Sequence, residues 1–161
     1  MDKKKLLTEY LINNKDKFYR FALMYVHHSA DAYDIVSEAT LKALTKIYLL
    51  KNTEALNAWF YRILVRTIYD YTRRSRLFKT STNEQVEMIE DENNQLSNQT
   101  IDLINFIQKL PPKYKTVIIL KFYEDLTYEE ISTVTHLPVS TVKSQVKKAL
   151  EILRKEVMIN E

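Results

Sequence analysis

The chain contains no glycine in its 161 residues and only three prolines. Tight β-hairpin turns rely on glycine, because glycine reaches positive φ at no steric cost. A sheet protein of this length would therefore normally need it, whereas helices joined by polar loops do not. Apolar residues make up 45% of the chain, which is enough to bury a core. The lack of glycine therefore predicts an all-α fold.

The chain also lacks the residue clusters that catalysis or metal binding requires. It has no cysteine, so a disulfide or a thiolate metal site cannot form. Without glycine, the phosphate-cradling loops of nucleotide-binding enzymes cannot occur. His27 and His28 are adjacent, so on a helix their side chains diverge by about 100° and make a poor metal pair. We therefore expect a protein that is not an enzyme and has no cofactor, no bound metal and no small-molecule substrate.

The sequence shows neither a secretion signal nor a membrane span. The N-terminal segment is basic, but its apolar run stops after Leu6 and Leu7, whereas a signal peptide needs a longer one. No segment approaches the roughly 18 apolar residues of a membrane-spanning helix. These features predict a soluble, cytoplasmic protein.

Charge is distributed unevenly along the chain, although the net charge is only +3. The net charge is +7 over residues 1–80, −5 over 81–110 and +1 over 111–161. Residues 79–100, KTSTNEQVEMIEDENNQLSNQT, are polar and acidic. Such a composition disfavours a packed core, and a loop of this length inside one compact domain is uncommon. The sequence therefore predicts two small helical domains, residues 1–78 and 101–161, joined by a flexible acidic linker over 79–100.

Helical patterns over residues 16–28, 31–48 and 55–76 make up the predicted first domain. Asp31 is a candidate N-cap for the second helix. One edge of that helix is polar, and its acidic start favours the helix dipole. A protein partner and simple solubility explain this edge equally well. Its residues are Asp34, Ser37, Glu38, Lys42 and Thr45.

The third helix carries a row of basic residues opposite its apolar stripe. This row comprises Arg62, Arg66, Tyr69 and Arg73, and Arg74 and Arg76 follow it. Arginine binds phosphate in a bidentate manner and stacks on bases, and tyrosines such as Tyr61 and Tyr69 would add stacking surfaces. This composition favours contact with single-stranded nucleic acid. Arginines at the end of a helix also favour its dipole, but that alternative does not account for Arg62 and Arg66.

Two helices near the end of the chain meet at a tight break. Thr127 and Glu130 fit a capping box that opens the first helix, and Pro138 suits the start of the second. The second helix is expected to bury Val142, Val146, Ala149, Leu150 and Leu153. Its opposite face carries the hydroxyl and ammonium groups of Ser140, Thr141, Lys143, Ser144, Lys147 and Lys148. This arrangement is typical of a helix-turn-helix that enters the DNA major groove. The alternative is an ordinary solvated helix face.

Three segments, in order and at matching spacing, resemble those of the extracytoplasmic-function (ECF) group of bacterial RNA polymerase sigma factors. Residues 31–44, DAYDIVSEATLKAL, are similar to the polymerase-binding helix of that group. Residues 58–74, AWFYRILVRTIYDYTRR, are similar to its promoter-melting helix. Residues 110–154, which run from LPPKYKTV to KKALEILR, resemble its fourth region. The resemblance covers nearly the whole chain except the linker.

The resemblance implies a dissociable subunit that binds core RNA polymerase and directs promoter recognition and DNA melting. Polymerase would be contacted by Asp34, Ser37, Glu38 and Lys42. The minus-ten element would be bound and melted by Asn57, Arg62, Arg66, Tyr69, Arg73 and Arg74. The minus-thirty-five duplex would be read by Ser140, Thr141, Lys143, Ser144, Lys147 and Lys148. Members of this group are often held inactive by a membrane-anchored anti-sigma factor until an envelope stress releases them.

Several residues depart from the pattern of the group. Ser37 replaces a glutamine, Thr67 replaces an asparagine, and His136 occupies a turn position where glycine or asparagine suits a positive φ. Ser140 and Gln145 stand where glycine and arginine are common. Two alternatives remain open on the sequence. One is a regulator that binds a palindromic operator through the helix-turn-helix alone, and the other is an inactive relative that titrates an anti-sigma factor.

Overall fold

A computed structural model of the protein describes residues 2–78 and 98–159, and all regular secondary structure in these two stretches is helical. The predicted all-α fold is confirmed. The chain divides into two compact units, Met1–Ile89 and Glu90–Glu161. Residues 79–97 of the predicted linker lie outside the described residues, and residues 98–100 already belong to a helix. None of the helices in the described stretches has the length and apolarity needed to cross a membrane.

The described part of the first unit folds into α1 (Lys3–Leu23), α2 (Ser29–Lys46) and α3 (Leu56–Phe78). The side chain of Asp2 caps α1 by accepting a 3.0 Å hydrogen bond from the backbone N–H of Lys4. Two short 3-10 turns, Ile47–Leu49 and Thr53–Ala55, connect α2 to α3. α2 packs against both of the other helices, so its remaining face is left for solvent or a partner.

The core of the first unit is aromatic. The ring centroids of Phe18 and Phe60 lie 4.5 Å apart, and Tyr61 meets Phe18 and Phe21 edge-on at 5.6 and 5.3 Å. Tyr61 is fully buried, so the prediction that it interleaves with the arginines is wrong. It lies about 100° from Arg62 around α3, which places it on the side that packs against α1.

The start of α2 also differs from the prediction. His28 occupies the N-cap position with an extended backbone, φ −123° and ψ 135°, and the helix begins at Ser29. Asp31 instead lies in the first turn, where a carboxylate favours the helix dipole. It accepts a 2.6 Å hydrogen bond from the hydroxyl of Tyr71, which ties α3 to α2. Burial, followed by the hydrogen bond and charge of Asp31, raises the pKa of Tyr71 to about 12.

The described part of the second unit folds into α4 (Asn98–Lys109), α5 (Pro112–Ile118), α6 (Tyr128–Thr135) and α7 (Val139–Ile159). A π-helical turn, Ile119–Tyr123, continues α5. The core of this unit is mainly aliphatic. Its most deeply buried residues include Val117, Leu120, Ile131, Val142 and Ala149. Lys115 is buried among them, and burial lowers its pKa from 10.5 to about 8.

α6 and α7 form the predicted helix-turn-helix. The capping box is confirmed, because Oγ1 of Thr127 accepts a hydrogen bond from the backbone N–H of Glu130 and the Glu130 carboxylate accepts one from the backbone N–H of Thr127, both at 3.1 Å. His136 follows α6 in the left-handed region, with φ 61° and ψ 24°, as its turn position predicts. Pro138 directly precedes α7, and its carbonyl accepts a 3.0 Å hydrogen bond from the N–H of Val142.

The buried stripe of α7 is narrower than the one that the sequence predicts. Val142, Val146, Ala149 and Leu153 are buried. The prediction that Leu150 is also buried is wrong, since this side chain is 41% exposed. It lies about 80° from Val142 around the helix, at the edge of the stripe. The exposed residues on the other side of α7 are therefore available for contacts outside the unit.

Candidate nucleic-acid and partner interfaces

The basic row of α3 lies on the surface of the first unit. Arg66 and Arg73 are exposed, and Arg62 and Tyr69 are half-buried. The side chains on the opposite side of the helix, including Leu64 and Ile68, are fully buried, so packing fixes the direction in which the row points. Tyr69 also contacts Tyr25 edge-on at 6.3 Å. The result is a rigid helical face that presents guanidinium groups beside an aromatic ring, which suits unpaired nucleic acid.

The end of this row carries its own ion pairs. Arg73 pairs with Asp70, one turn earlier on α3. The guanidinium of Arg74 lies 3.4 Å from a carboxylate oxygen of Glu38 on α2. Both arginine side chains remain more than half exposed. Such surface pairs contribute at most about 1 kcal/mol each, so a phosphate could replace either carboxylate as the partner.

Asn57 stands apart from the row, in the first turn of α3. Its side chain is half-buried, and its Oδ1 accepts a 2.6 Å hydrogen bond from the hydroxyl of Tyr10 on α1. The preceding 3-10 turn is capped by Asn52, whose side chain accepts a 3.0 Å hydrogen bond from the backbone N–H of Glu54. The amide of Asn57 itself is held by the Tyr10 hydroxyl of α1, which restricts its rotation.

The predicted polymerase-binding residues lie along the outer edge of α2. Asp34 and Ser37 are exposed, and Glu38 and Lys42 are half-buried. The ammonium group of Lys42 lies 3.3 Å from a carboxylate oxygen of Glu38 and donates a 3.4 Å hydrogen bond to Oγ1 of Thr67. Lys42 therefore links α2 to α3 through Thr67, and Glu38 links the same two helices through Arg74.

Exposed apolar side chains accompany this polar edge, and the sequence analysis did not identify them. Tyr33 is 60% exposed, although its ring stacks on Tyr19 at 4.4 Å, and Leu41 is 66% exposed. Tyr33 and Leu41 are eight residues apart, so they lie about two turns apart along α2. The available signal was these two large apolar side chains outside the core stripe, because such side chains beside a polar edge indicate a contact surface.

The predicted DNA-reading residues of α7 share one outer face. Ser140, Lys143, Ser144, Lys147 and Lys148 are exposed, and Thr141 is half-buried. The turn at His136 and the capped start of α6 fix the angle at which this face is presented. Hydroxyl and ammonium groups on an exposed helix face can donate to base edges in a major groove and to phosphates on either side of it.

Residues of α5, α6 and the π-helical turn extend this surface, and the sequence analysis missed them because it interpreted those helices as core elements. The Tyr128 ring lies under two ammonium groups, at 4.4 Å from that of Lys121 and 5.5 Å from that of Lys143. An open depression of about 440 Å³ lies at the start of α7. It is lined by Lys113, Tyr114, Ser140, Thr141, Ser144, Gln145 and Lys148. The basic surface is therefore larger than α7 alone.

Two family models match the chain. The model described as "Sigma-70 region 2" matches residues 11–78, and the model described as "Sigma-70, region 4" matches residues 100–153. The first range falls in the unit that carries the basic row, and the second falls in the unit that carries the helix-turn-helix.

Curated relatives match over most of their length. "RNA polymerase sigma factor SigV" of Bacillus subtilis is 38% identical over 151 residues, which cover 94% of this chain and 90% of that protein. "ECF RNA polymerase sigma factor SigW" of the same organism is 30% identical, with 88% of this chain and 83% of that protein covered.

Solved structures support the fold. The sigma factor RpoE of Bartonella quintana, crystallised in complex with the anti-sigma factor NepR, matches with a TM-score of 0.81 and 21% identity over 98% of this chain and 99% of that one. CnrH in complex with the cytosolic domain of CnrY matches with a TM-score of 0.72 and 16% identity, over 98% and 90% of the two chains. At such identities these matches support the architecture alone.

Proposed function

Since this chain belongs to the extracytoplasmic-function group of RNA polymerase sigma factors, with sigma-70 regions 2 and 4, we propose that it binds core RNA polymerase and directs promoter recognition and DNA melting. Sigma factors are transcription initiation factors rather than catalysts. The function of this chain therefore depends on surfaces that bind and position, and each surface described above has a role in the proposal.

The observation that carries the proposal is the basic row of α3. Arg62, Arg66 and Arg73 line one side of the helix, with Tyr69 among them. An opened strand offers phosphates and unstacked bases, and these are the groups that arginine and an aromatic ring bind together. A helix that only closed a core would not need cations along its whole outer side. We assign this row, with Asn57 and Arg74, to the minus-ten element.

The helix-turn-helix supports the assignment of the second unit to the minus-thirty-five element. Hydroxyl and ammonium groups on the outer face of α7 suit an intact major groove. Lys121 and Lys113 lie on neighbouring elements, where they would add contacts to phosphates flanking the groove. Each such contact strengthens binding regardless of sequence and weakens with salt.

The outer edge of α2 is the surface assigned to polymerase. Asp34, Ser37, Glu38 and Lys42 supply charge and polarity, and the exposed Tyr33 and Leu41 beside them supply apolar area. A polar edge with apolar anchors is the composition of a protein interface rather than of a merely solvated helix. The proposal extends to a membrane-anchored anti-sigma factor as a second partner. Its support is that RpoE was crystallised with the anti-sigma factor NepR and that CnrH was solved in complex with the cytosolic domain of CnrY.

In vitro transcription tests the proposed function directly. Core polymerase is incubated with a library of promoter fragments, with and without this protein, and the transcripts are sequenced. Promoters that fire only when the protein is present are the expected result, and their absence refutes the proposal. Binding to a palindromic duplex without polymerase would indicate the operator-binding regulator. Binding to an anti-sigma factor without any transcription would indicate the inactive relative.

A charge-matched pair of variants tests the basic row itself. Arg62→Ala with Arg66→Ala should lower the formation of open complexes by about tenfold or more, because each lost charge-assisted contact is worth roughly 1.5–3 kcal/mol. Affinity for core polymerase should not change. The control is Arg20→Ala with Arg154→Ala, which removes two exposed arginines outside the proposed surfaces. Permanganate reactivity of unpaired thymines measures opening. Equal loss of opening and of polymerase binding would show that the row is structural.

A further inference from the structure

One hydrogen bond of the first unit joins a predicted DNA contact to a helix that has no assigned role in DNA binding. The hydroxyl of Tyr10 on α1 donates to Oδ1 of Asn57 at 2.6 Å, across 47 positions of sequence. Tyr10 lies immediately before the residues that match sigma-70 region 2. The bond is short, and the residues that it joins are only half-buried.

The position of the Tyr10 hydroxyl is fixed by the aromatic core. Its ring lies 5.5 Å from that of Phe18 and 5.8 Å from that of Phe60, and it meets Phe60 edge-on. Phe18 and Phe60 are themselves almost completely buried. Because such a ring cannot move without disturbing the core, the hydroxyl is a fixed donor beside the amide group of Asn57.

A fixed donor decides which way the amide of Asn57 points. A carboxamide has an acceptor oxygen and a donor NH2 group on opposite sides, so holding Oδ1 against the hydroxyl orients Nδ2 in the other direction. Among the residues that the structure describes, no protein group accepts a hydrogen bond from Nδ2. Nor is this nitrogen one of the buried polar atoms that lack a partner. Asn57 is thus left with a directed donor that a ligand can use.

We propose that Tyr10 is a positioning residue, which fixes the amide of Asn57 so that Nδ2 donates to an acceptor atom of a nucleotide in the opened strand. The proposal rests on the proposed function. It assigns to Asn57 a donor role and makes the two-point pairing of asparagine with adenine, which uses both Oδ1 and Nδ2, unfavourable here. The acceptor is either a base atom (a carbonyl oxygen or ring nitrogen) or a phosphate oxygen. A base acceptor would affect promoter activity at one sequence position, whereas a phosphate acceptor would affect all sequences equally.

The test compares Tyr10→Phe, Asn57→Ala and the double variant with the wild type, each with core polymerase, on promoters randomised across the minus-ten element. For a base acceptor, both single variants should relax base preference at the same position by about fivefold, the equivalent of one hydrogen bond. The double variant should do no more than Asn57→Ala alone, because the two residues act as one unit. For a phosphate acceptor, both single variants should weaken all sequences equally, and an uncharged phosphate analogue at one position should reproduce that loss with the wild type.

Tyr71→Phe is the matched control, because it also removes a 2.6 Å hydrogen bond between two helices of this unit. It should lower thermal stability about as much as Tyr10→Phe does and leave promoter preference unchanged. The proposal is overturned if Tyr10→Phe transcribes like the wild type on every sequence, or if its changes are the same as those of Tyr71→Phe. A wild-type protein that fires no promoter would instead refute the proposed function.

Discussion

Replacement of the buried Lys115 by methionine should stabilise the second unit. Lys115 is only 7% exposed, and burial lowers its pKa from 10.5 to about 8. A gap of about 2.5 pKa units corresponds to about 3 kcal/mol between the charged and neutral forms. At pH 7 the side chain is still protonated, so the folded unit bears this cost. Methionine has a similar length and carries no charge, so Lys115→Met should recover up to about 3 kcal/mol.

The same shift predicts how this gain depends on pH. The folded state releases its proton at a lower pH than the unfolded state does, so between about pH 8 and 10.5 the unfolded state binds more protons. The stability of the wild-type unit therefore rises with pH in this window. The difference between Lys115→Met and the wild type should fall from about 3 kcal/mol at pH 7 to about 2 kcal/mol at pH 9, which is still below the range in which tyrosines titrate.

The chain carries an internal reference for this measurement. Its single tryptophan, Trp59, lies on α3 of the first unit, so fluorescence follows the unfolding of that unit, whereas far-UV circular dichroism follows both. Lys115→Met should shift the dichroism transition in urea and leave the fluorescence transition in place. Lys113→Met, the same replacement at an exposed position on α5, should change stability by no more than about 0.5 kcal/mol. Destabilisation by Lys115→Met, or a difference that does not shrink with pH, would refute the reasoning.

Two further substitutions test the helix-turn-helix. His136→Gly should stabilise the second unit by about 0.5–1 kcal/mol, because relief of a left-handed strain of about 1–2 kcal/mol outweighs the added entropy of the unfolded chain. Thermal unfolding measures this, and His136→Ala, which keeps Cβ, should give no gain. Tyr128→Leu removes the ring that holds the ammonium groups of Lys121 and Lys143 in place. It should weaken binding of the polymerase complex to minus-thirty-five DNA by about two- to fivefold, since cation–π contacts at exposed sites are worth roughly 0.5–1 kcal/mol. Tyr128→Phe should bind nearly normally in the same titration, and an equal loss in both variants would exclude the role of the ring.

Local patterns predicted the directions of the helix faces and the positions of most helices, but the pattern over residues 16–28 missed both ends of α1, which runs from Lys3 to Leu23. A period of 3.6 residues separates Leu64 and Ile68 from Arg62 and Arg66 with no knowledge of the neighbouring helices. The capping box at Thr127 depends only on residues within one turn. Both features were therefore readable from the sequence alone.

Two errors of burial fall at the edges of the stripes. Tyr61 and Leu150 lie at such edges, where burial depends on which neighbouring helix packs there. The sequence analysis placed Tyr61 outside the core and Leu150 inside it, and the structure reverses both. Asp31 has the right chemistry for an N-cap, but α2 begins two residues earlier, and a tertiary bond to Tyr71 engages its carboxylate.

Other features depend on contacts between distant parts of the chain. No local pattern brings Tyr10 to Asn57, or Lys121 and Lys143 to one aromatic ring. The burial of Lys115 is equally hidden, because a lysine in a helical pattern is ordinarily assigned to the solvent side. Such contacts position the residues of the candidate sites. The sequence therefore predicts which residues lie on each exposed face, but not which residues support them.

Glu38 makes the proposed polymerase surface and the proposed promoter surface parts of one electrostatic system. Its carboxylate is shared by Lys42 on its own helix and by Arg74 on the basic helix. A polymerase cation that captures this carboxylate lowers the free energy needed to detach the guanidinium. The coupling is reciprocal: if a phosphate binds the guanidinium of Arg74 first, the affinity of Glu38 for a polymerase cation rises by the same free energy. On the proposed function, this shared carboxylate links binding to polymerase with binding to a promoter, whichever comes first.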